Sequence, residues 1–182
     1  MANKLKKNDL TSLFPNLVEV LDAYGKTLVE KYREGLIDGD HIATGNLFNS
    51  VSSEVTLNGQ SFIVEFRMPE YGEYLEQGTR PHFPPLTAIE NWIRVKRIVP
   101  RQDTQGKLPT EKQLSYLIAR KISEEGTPAT HLWEKANALT FNEWNKLIDE
   151  AISMDLNENL EEILQTLNQK TGSKATRSKR RR

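Results

Sequence analysis

Leu13, Leu17, Val20, Leu21, Tyr24, Leu28 and Tyr32 recur at three- and four-residue spacing, which aligns them on one face of a helix that Gly35 is placed to end. The period then changes. Val51, Ser53, Val55 and Leu57 alternate with Ser52, Glu54 and Thr56, and beyond Asn58-Gly59 the residues Phe62, Val64 and Phe66 alternate with Ile63 and Glu65. Two period-two runs around Asn-Gly, a pair that tolerates the positive φ of a tight turn, predict a β-hairpin over 51–66 with one buried face. Ile63 on the other face implies partial cover there by a helix or a neighbouring subunit.

Helical spacing returns after two prolines. Pro84-Pro85 can open a helix, Thr87 with Glu90 has the spacing of a capping box, and Ile89, Trp92 and Ile93 supply an apolar face that ends near Arg97. RQDTQGKL, between Pro100 and Pro109, reads as a loop. Thr110 with Gln113 starts another capped helix burying Leu114, Leu117, Ile118 and Ile122, and Gly126 stops it. From Leu132, an imperfect stripe of Trp133, Ala136, Phe141, Trp144, Ile148 and Ile152 predicts a long helix. Asp155 with Glu158 is spaced to cap a fresh one carrying Leu160, Ile163, Leu164 and Leu167, so a break is expected near Met154. The fold class that follows is α+β: an N-terminal helix, a small antiparallel sheet, packed helices and a C-terminal helical extension with a basic tail.

Charge divides the C-terminal part. Between Glu134 and Glu162, acids at 134, 143, 149, 150, 155, 158, 161 and 162 are set against Lys135 and Lys146 alone, a pattern of either a solvated face or a helix by which neighbouring subunits clasp one another. KTGSKATRSKRRR then contains Lys170, Lys174, Arg177, Lys179, Arg180, Arg181 and Arg182 and no acid. Such a tail neutralises phosphates without reading bases, docks on an acidic neighbour, or is a disordered solubilising end. The expected organisation is a body over 1–139, an acidic helical extension over 140–169 and a basic tail over 170–182.

Composition narrows the function classes. The chain has 182 residues, 25 basic against 25 acidic, so bulk charge does not draw it to nucleic acid or to an anionic membrane. It has no cysteine, which excludes disulfides, zinc-thiolate sites and thiol catalysis and fits assembly in a reducing cytoplasm. MANKLKKNDL has no apolar run behind its lysines and no stretch of about eighteen apolar residues occurs, so neither a signal peptide nor a membrane span is expected. His41, His82 and His131 fall in three separate loops, no His-x-x-x-His, Gly-x-Ser-x-Gly or phosphate-loop motif is present, and Asp38-Gly-Asp-His41 lacks the downstream glutamate of a calcium loop. No enzyme, cofactor or metal is expected.

YGEYLEQGTRPHFPP, from Tyr71 to Pro85, concentrates backbone demands: a short aromatic turn around Tyr71, Tyr74 and Leu75, a break at Gly78, and an extended arm ahead of Pro81 and Pro84. It reads as an arm presented to a partner or as a connector between sheet and helix. A second Gly-Thr step follows in EEGTPATHLW, from Glu124 to Trp133.

Taken in order, TGNLFNSV (Thr44 to Val51), YGEYLEQGTRPHFPP, AIENWIRVKRI and LSYLIARKISEEGTPATHLW resemble the neck or tail-completion protein family of tailed bacteriophages, over residues 10 to 140. Gly45, Leu47 and Ser50 match that family's turn into the first strand. Tyr71, Tyr74, Glu76, Gly78 and Thr79 match its Tyr-x-x-Tyr-x-Glu-x-Gly-Thr run; nothing after Leu139 has a counterpart. The resemblance implies a small α+β virion structural protein, assembled in host cytoplasm into a homo-oligomeric ring at the head–tail junction, between portal or adaptor proteins and tail proteins. Under that reading Tyr71, Tyr74, Thr79, Arg80, His82, Phe83 and Trp92 are partner-binding; the aromatic residues suit an ordinary core as the alternative, which is favoured for Trp92 because it lies on an apolar helical face. The 98–109 loop also faces a partner. Lys174, Arg177, Lys179, Arg180, Arg181 and Arg182 contact genomic DNA or an acidic partner. The alternative is a nucleic-acid-binding or regulatory module acting through the basic tail.

Overall fold

A computed structural model of the chain describes residues 9–102 and 106–179. Its described elements are α1 (Asp9–Leu13), α2 (Pro15–Asp38), α3 (Asn46–Ser50), β1 (Ser52–Asn58), β2 (Ser61–Arg67), α4 (Tyr71–Gln77), α5 (Leu86–Lys96), α6 (Glu111–Glu125) and α7 (Leu132–Lys179). Among the described residues seven helices accompany a single two-stranded antiparallel sheet, β1–β2, so the class is α+β with the helices providing most of the core. No described helix is long and apolar enough to cross a membrane.

The chain divides into two compact units: Met1–Thr27 with Ser53–Glu65 and Leu139–Arg182, and Leu28–Ser52 with Phe66–Ala138.

In the first unit, Leu17, Tyr24, Thr140, Ala151 and Asp155 are buried. Edge-to-face ring pairs, Phe14 with Phe62 at 6.3 Å and Tyr24 with Trp144 at 6.2 Å, tie α2 to the hairpin and to α7. Each such pair adds about 0.5–1.5 kcal/mol beyond its buried area. Gly25 lies where α2 meets the hairpin: a Cβ there would come within 2.8 Å of Ser53 Oγ and 3.1 Å of Val64 Cγ1. Only Gly59 of the Asn58-Gly59 pair takes a positive φ, 65°. Asn58 ends β1, and a positive angle at the first central residue alone marks a type II′ turn, one position later than an Asn-Gly type I′ turn. Ile63 is 38% exposed, and on its face Thr56 Oγ1 donates to Glu65 Oε1 at 3.1 Å.

In the second unit, Leu28, Val29, Tyr32, Leu36, Val51 and Ala136 form the buried cluster, flanked by Phe48, Phe66, Leu75, Leu132 and Trp133. Gly35 does not end α2 as the sequence suggests. Its missing Cβ admits Leu132, whose Cδ2 would stand 3.1 Å from it, and the helix runs on to bury Leu36 completely. It ends instead with His41 N–H donating to Leu36 O and Asp40 N–H to Ile37 O, a Schellman closure with Asp40 at φ 51° in the left-handed position. Lys96 of α5 ties down that turn by donating to the Asp40 carbonyl and, at 2.7 Å, to its carboxylate. The Lys96 ammonium holds the Asp40 carboxyl below the usual carboxylate range. Arg33 donates to Phe48 O at 2.9 Å and Val51 O at 3.1 Å, satisfying carbonyls at the end of α3, and stacks 5.4 Å above the Phe48 ring.

Four further sequence expectations change in this unit and in α7. Thr87 does not cap α5: the helix starts at Leu86 with Pro85 as its N-cap, because Ala88 and Ile89 N–H close the first turn on Pro85 O. The Thr110–Gln113 capping box forms, but α6 buries Ser115 and Ala119, small residues that allow close approach, and leaves Leu117 53% exposed. On α7 Thr140 is the buried residue and Phe141 is 47% exposed. No break occurs near Met154: α7 is continuous from Leu132 to Lys179.

The carboxylate expected to cap a new helix there caps a different one. Asp155 is fully buried; Asn16 N–H donates to its Oδ1 at 3.1 Å, Leu17 N–H to its Oδ2 at 2.9 Å, and Asn16 Nδ2 to Oδ1 at 2.8 Å. Every donor at the start of α2 is then accounted for. Phe14 N–H reaches Leu10 O, Pro15 has no N–H, and Asp155 takes the next two. A negative group also suits the positive end of the helix. One turn along α7, Asn159 Nδ2 donates to Leu13 O at 2.7 Å and holds the end of α1.

Candidate functional site

The two Gly-Thr steps, 48 residues apart in sequence, meet. Thr79 and Thr127 form an antiparallel bridge, with N–H to O distances of 3.0 and 3.2 Å, and their hydroxyls hydrogen-bond to each other at 2.9 Å. Gly78 and Gly126 precede them at φ 70° and 74°, a region costly for any residue with a Cβ. A Cβ on Gly78 would strike Thr127 O, and one on Gly126 would strike Thr79 O. Each step therefore needs its glycine twice over, for the backbone angle and for the close approach.

The clasp continues into the start of α7. Thr130 donates to Leu75 O through N–H at 3.1 Å and Oγ1 at 2.8 Å, and His131 N–H reaches Glu76 O at 3.3 Å. The Glu76 side chain, 9% exposed, accepts Trp133 N–H on Oε2 at 3.0 Å. Glu76 thus supplies the N-terminal cap of α7, as Asp155 does for α2. Its Oε1 has no hydrogen-bond partner. Burial, and then the charge of Glu76, push the Tyr32 phenol well above the ordinary tyrosine range, so it stays protonated and donates toward Met68 S at 3.9 Å.

From the clasp the chain runs as an arm to α5. His82 N–H donates to Ile122 O at 3.4 Å, His82 Nδ1 lies 2.9 Å from Arg80 O, and the Phe83 ring packs 6.2 Å from Tyr116. Of the residues the sequence marks as partner-binding, Tyr74, Thr79, Arg80 and His82 come together, lining with Pro81 a surface recess of 470 Å³. The Thr79 hydroxyl is engaged with Thr127, which makes it a builder of the recess. Tyr71, 48% exposed, borders a separate recess of 230 Å³ with Gly45, Leu47 and Leu75. Phe83 is 53% exposed beside Tyr116, while Trp92 stands on α5 at 41%, an exposed residue rather than a core one. Lys174, Arg177 and Lys179 fall on the last turns of α7; Arg180, Arg181 and Arg182 lie outside the described residues, as do positions 103–105 of the 98–109 loop.

Sequence reasoning missed Glu76, Thr127 and Thr130 as builders. The available signal was the repetition itself, Glu-Gln-Gly-Thr at 76–79 and Glu-Gly-Thr at 125–127. Among the described residues no group of three or more histidines, aspartates and glutamates is arranged to hold a metal ion. Comparison of the chain with protein-family models, curated proteins and solved structures finds no match.

Proposed function

We propose that the protein is a structural component of a phage particle, a ring subunit at the neck between portal and tail whose role is assembly rather than turnover. The reading starts from the resemblance carried by Gly45, Leu47 and Ser50, by Tyr71 to Thr79 and by Glu124 to Trp133. The observation that supports it most is the clasp: the two segments most characteristic of that resemblance form one unit with strict backbone requirements, which displays Tyr74, Arg80 and His82 on the surface. A position fixed this firmly suits recognition of a rigid partner. Tyr71, Tyr74, Phe83 and Trp92 are 41–59% exposed, large aromatic surface of the kind that anchors protein interfaces. A closed ring of roughly six or twelve copies follows from matching the rotational symmetry of a channel.

Silencing the gene in the phage that encodes this chain tests the proposal. DNA-filled heads and separate tails should accumulate unjoined, and wild-type protein added to the lysate should join them. Normal yields of joined particles without the protein overturn it. The alternative, a nucleic-acid-binding module working through Lys170 to Arg182, is separated by deleting that tail: a neck subunit retains joining activity, whereas a DNA binder loses nearly all its salt-sensitive affinity.

A further inference from the structure

The tip of the hairpin brings together the groups of an intramolecular reaction. Asn58, the last residue of β1, is exposed, and Gly59 follows it at φ 65° with open space where a Cβ would stand. Neither the Asn58 carboxamide nor the Gly59 N–H makes a hydrogen bond among the described residues. A main-chain nitrogen that is unpaired, unshielded by a side chain and one residue beyond an asparagine is the nucleophile for closure of a five-membered ring.

We propose that Asn58 is a site of spontaneous deamidation in the folded protein, with water as the co-reactant. The Gly59 nitrogen gives its proton to solvent base and bonds to Asn58 Cγ; the side-chain nitrogen takes a proton from solvent and leaves as ammonia. The product is a succinimide. Water then opens the ring in one of two ways. Breaking the bond from nitrogen to Cγ leaves aspartate on the original backbone, whereas breaking the bond from nitrogen to the main-chain carbonyl carbon leaves isoaspartate, with the chain running through Cβ and Cγ. The net change replaces one NH2 by one OH, and nothing is oxidised or reduced.

The Asp38-Gly39 step, which could close the same ring, shows what withholds the reaction. Gly39 donates its N–H to Gly35 O at 3.0 Å, and the His41 ring packs against its Cα. That nitrogen is committed to the end of α2. At Gly59 the obstacle is the terminal pairing of β1 with β2, which has to open before the nitrogen can swing over the side chain. The end of a ladder opens far more readily than its middle.

The two products differ in consequence. Aspartate adds a negative charge at an exposed position. Isoaspartate adds a methylene to the backbone at a turn whose two-residue length sets the strand register, so the tip has to rearrange. The Phe14–Phe62 ring pair holds the hairpin behind the tip and keeps the change local. The chemistry belongs to the chain itself and is independent of the neck reading.

The test keeps purified full-length protein in heavy-oxygen water at mildly alkaline pH and maps the label at each asparagine by mass spectrometry. Label should enter position 58 at least about tenfold faster than any other asparagine, because no other is followed by glycine. Isoaspartate should exceed aspartate, and the rate should rise with pH, since the deprotonated amide attacks. The urea-unfolded chain should react there within about tenfold of the folded rate, the cost of opening one ladder end. Asn58→Gln, which would need a six-membered ring, should take up no label at that position and keep its circular dichroism. The proposal is overturned if position 58 of the folded protein labels no faster than the other asparagines while the unfolded chain labels there. It is equally overturned if urea added below the unfolding transition raises the rate in proportion to the unfolded fraction, because the native hairpin is then not the reacting form.

Discussion

Replacing Asp155 by alanine tests the most unexpected contact in the fold. The substitution removes the acceptor of two backbone N–H groups and of the Asn16 amide at a site with no solvent exposure. Loss of an N-cap costs about 0.5–2 kcal/mol. Leaving buried donors unpaired adds roughly 1–3 kcal/mol. A total near 3 kcal/mol is expected, partly reduced by water entering the space. With a urea m-value of roughly 2 kcal/mol/M, the unfolding midpoint should fall by about 1.5 M at unchanged m. Asp155→Asn keeps one acceptor but loses the charge at the positive end of α2, and should cost about half as much. Glu158→Ala is the control: it would matter if the Asp155–Glu158 pair capped a helix of its own, and should stay within about 0.5 kcal/mol of wild type. Urea melts followed by circular dichroism decide the matter. An alanine variant within about 0.5 kcal/mol of wild type, or a Glu158→Ala loss as large as that of Asp155→Ala, refutes the remote-cap account.

The clasp and its surroundings give three more tests. Gly78→Ala and Gly126→Ala should each lower thermal stability far more than Gly59→Ala, which shares a positive φ but has open space around it; the left-handed strain alone is worth about 1–2 kcal/mol, and equal losses at all three positions would remove the steric argument. Glu76→Ala should cost about 2 kcal/mol by uncapping α7, whereas Glu76→Gln, which retains an acceptor for Trp133 N–H, should cost less than half of that in the same melts. Tyr32 ionises in the folded chain only above its ordinary value, so its stabilising contribution is complete below about pH 10 and is lost as pH rises further, when the unfolded chain alone gives up the proton. Tyr32→Phe should therefore reduce the fall of stability in that alkaline range, and an unchanged pH profile would count against the buried-phenol assignment.

What the sequence displayed were interactions between near neighbours. The alternation around Asn58-Gly59 gave the hairpin, Thr110 and Gln113 the start of α6, and Gly78 and Gly126 the ends of α4 and α6, because each depends on residues within one turn of one another. The remote caps were hidden because Asp155 serves an amide 139 positions away, and local rules hand a carboxylate to the nearest helix start. Gly25 and Gly35 have the composition of helix breakers, yet both lie inside α2 as points of close approach, to the hairpin and to Leu132. The inward faces of α6 and α7 were misread at Leu117 and Phe141 because small or polar residues, Ser115, Ala119 and Thr140, take the tightest positions; periodicity marks apolar faces but not which face is covered. On the candidate site, both Gly-Thr steps were legible and their meeting was not, since nothing in either segment encodes its distance from the other.

The proposal that the protein is a neck subunit of a phage particle is tested most directly by quantitative mass spectrometry of purified particles, measuring this protein against the portal subunit. A fixed stoichiometry of about one or one-half, unchanged through repeated purification, is the expected result for a ring matched to the portal. Absence of the protein from particles that are intact and infectious would contradict it, and would direct attention to salt-dependent DNA binding by the Lys170 to Arg182 tail.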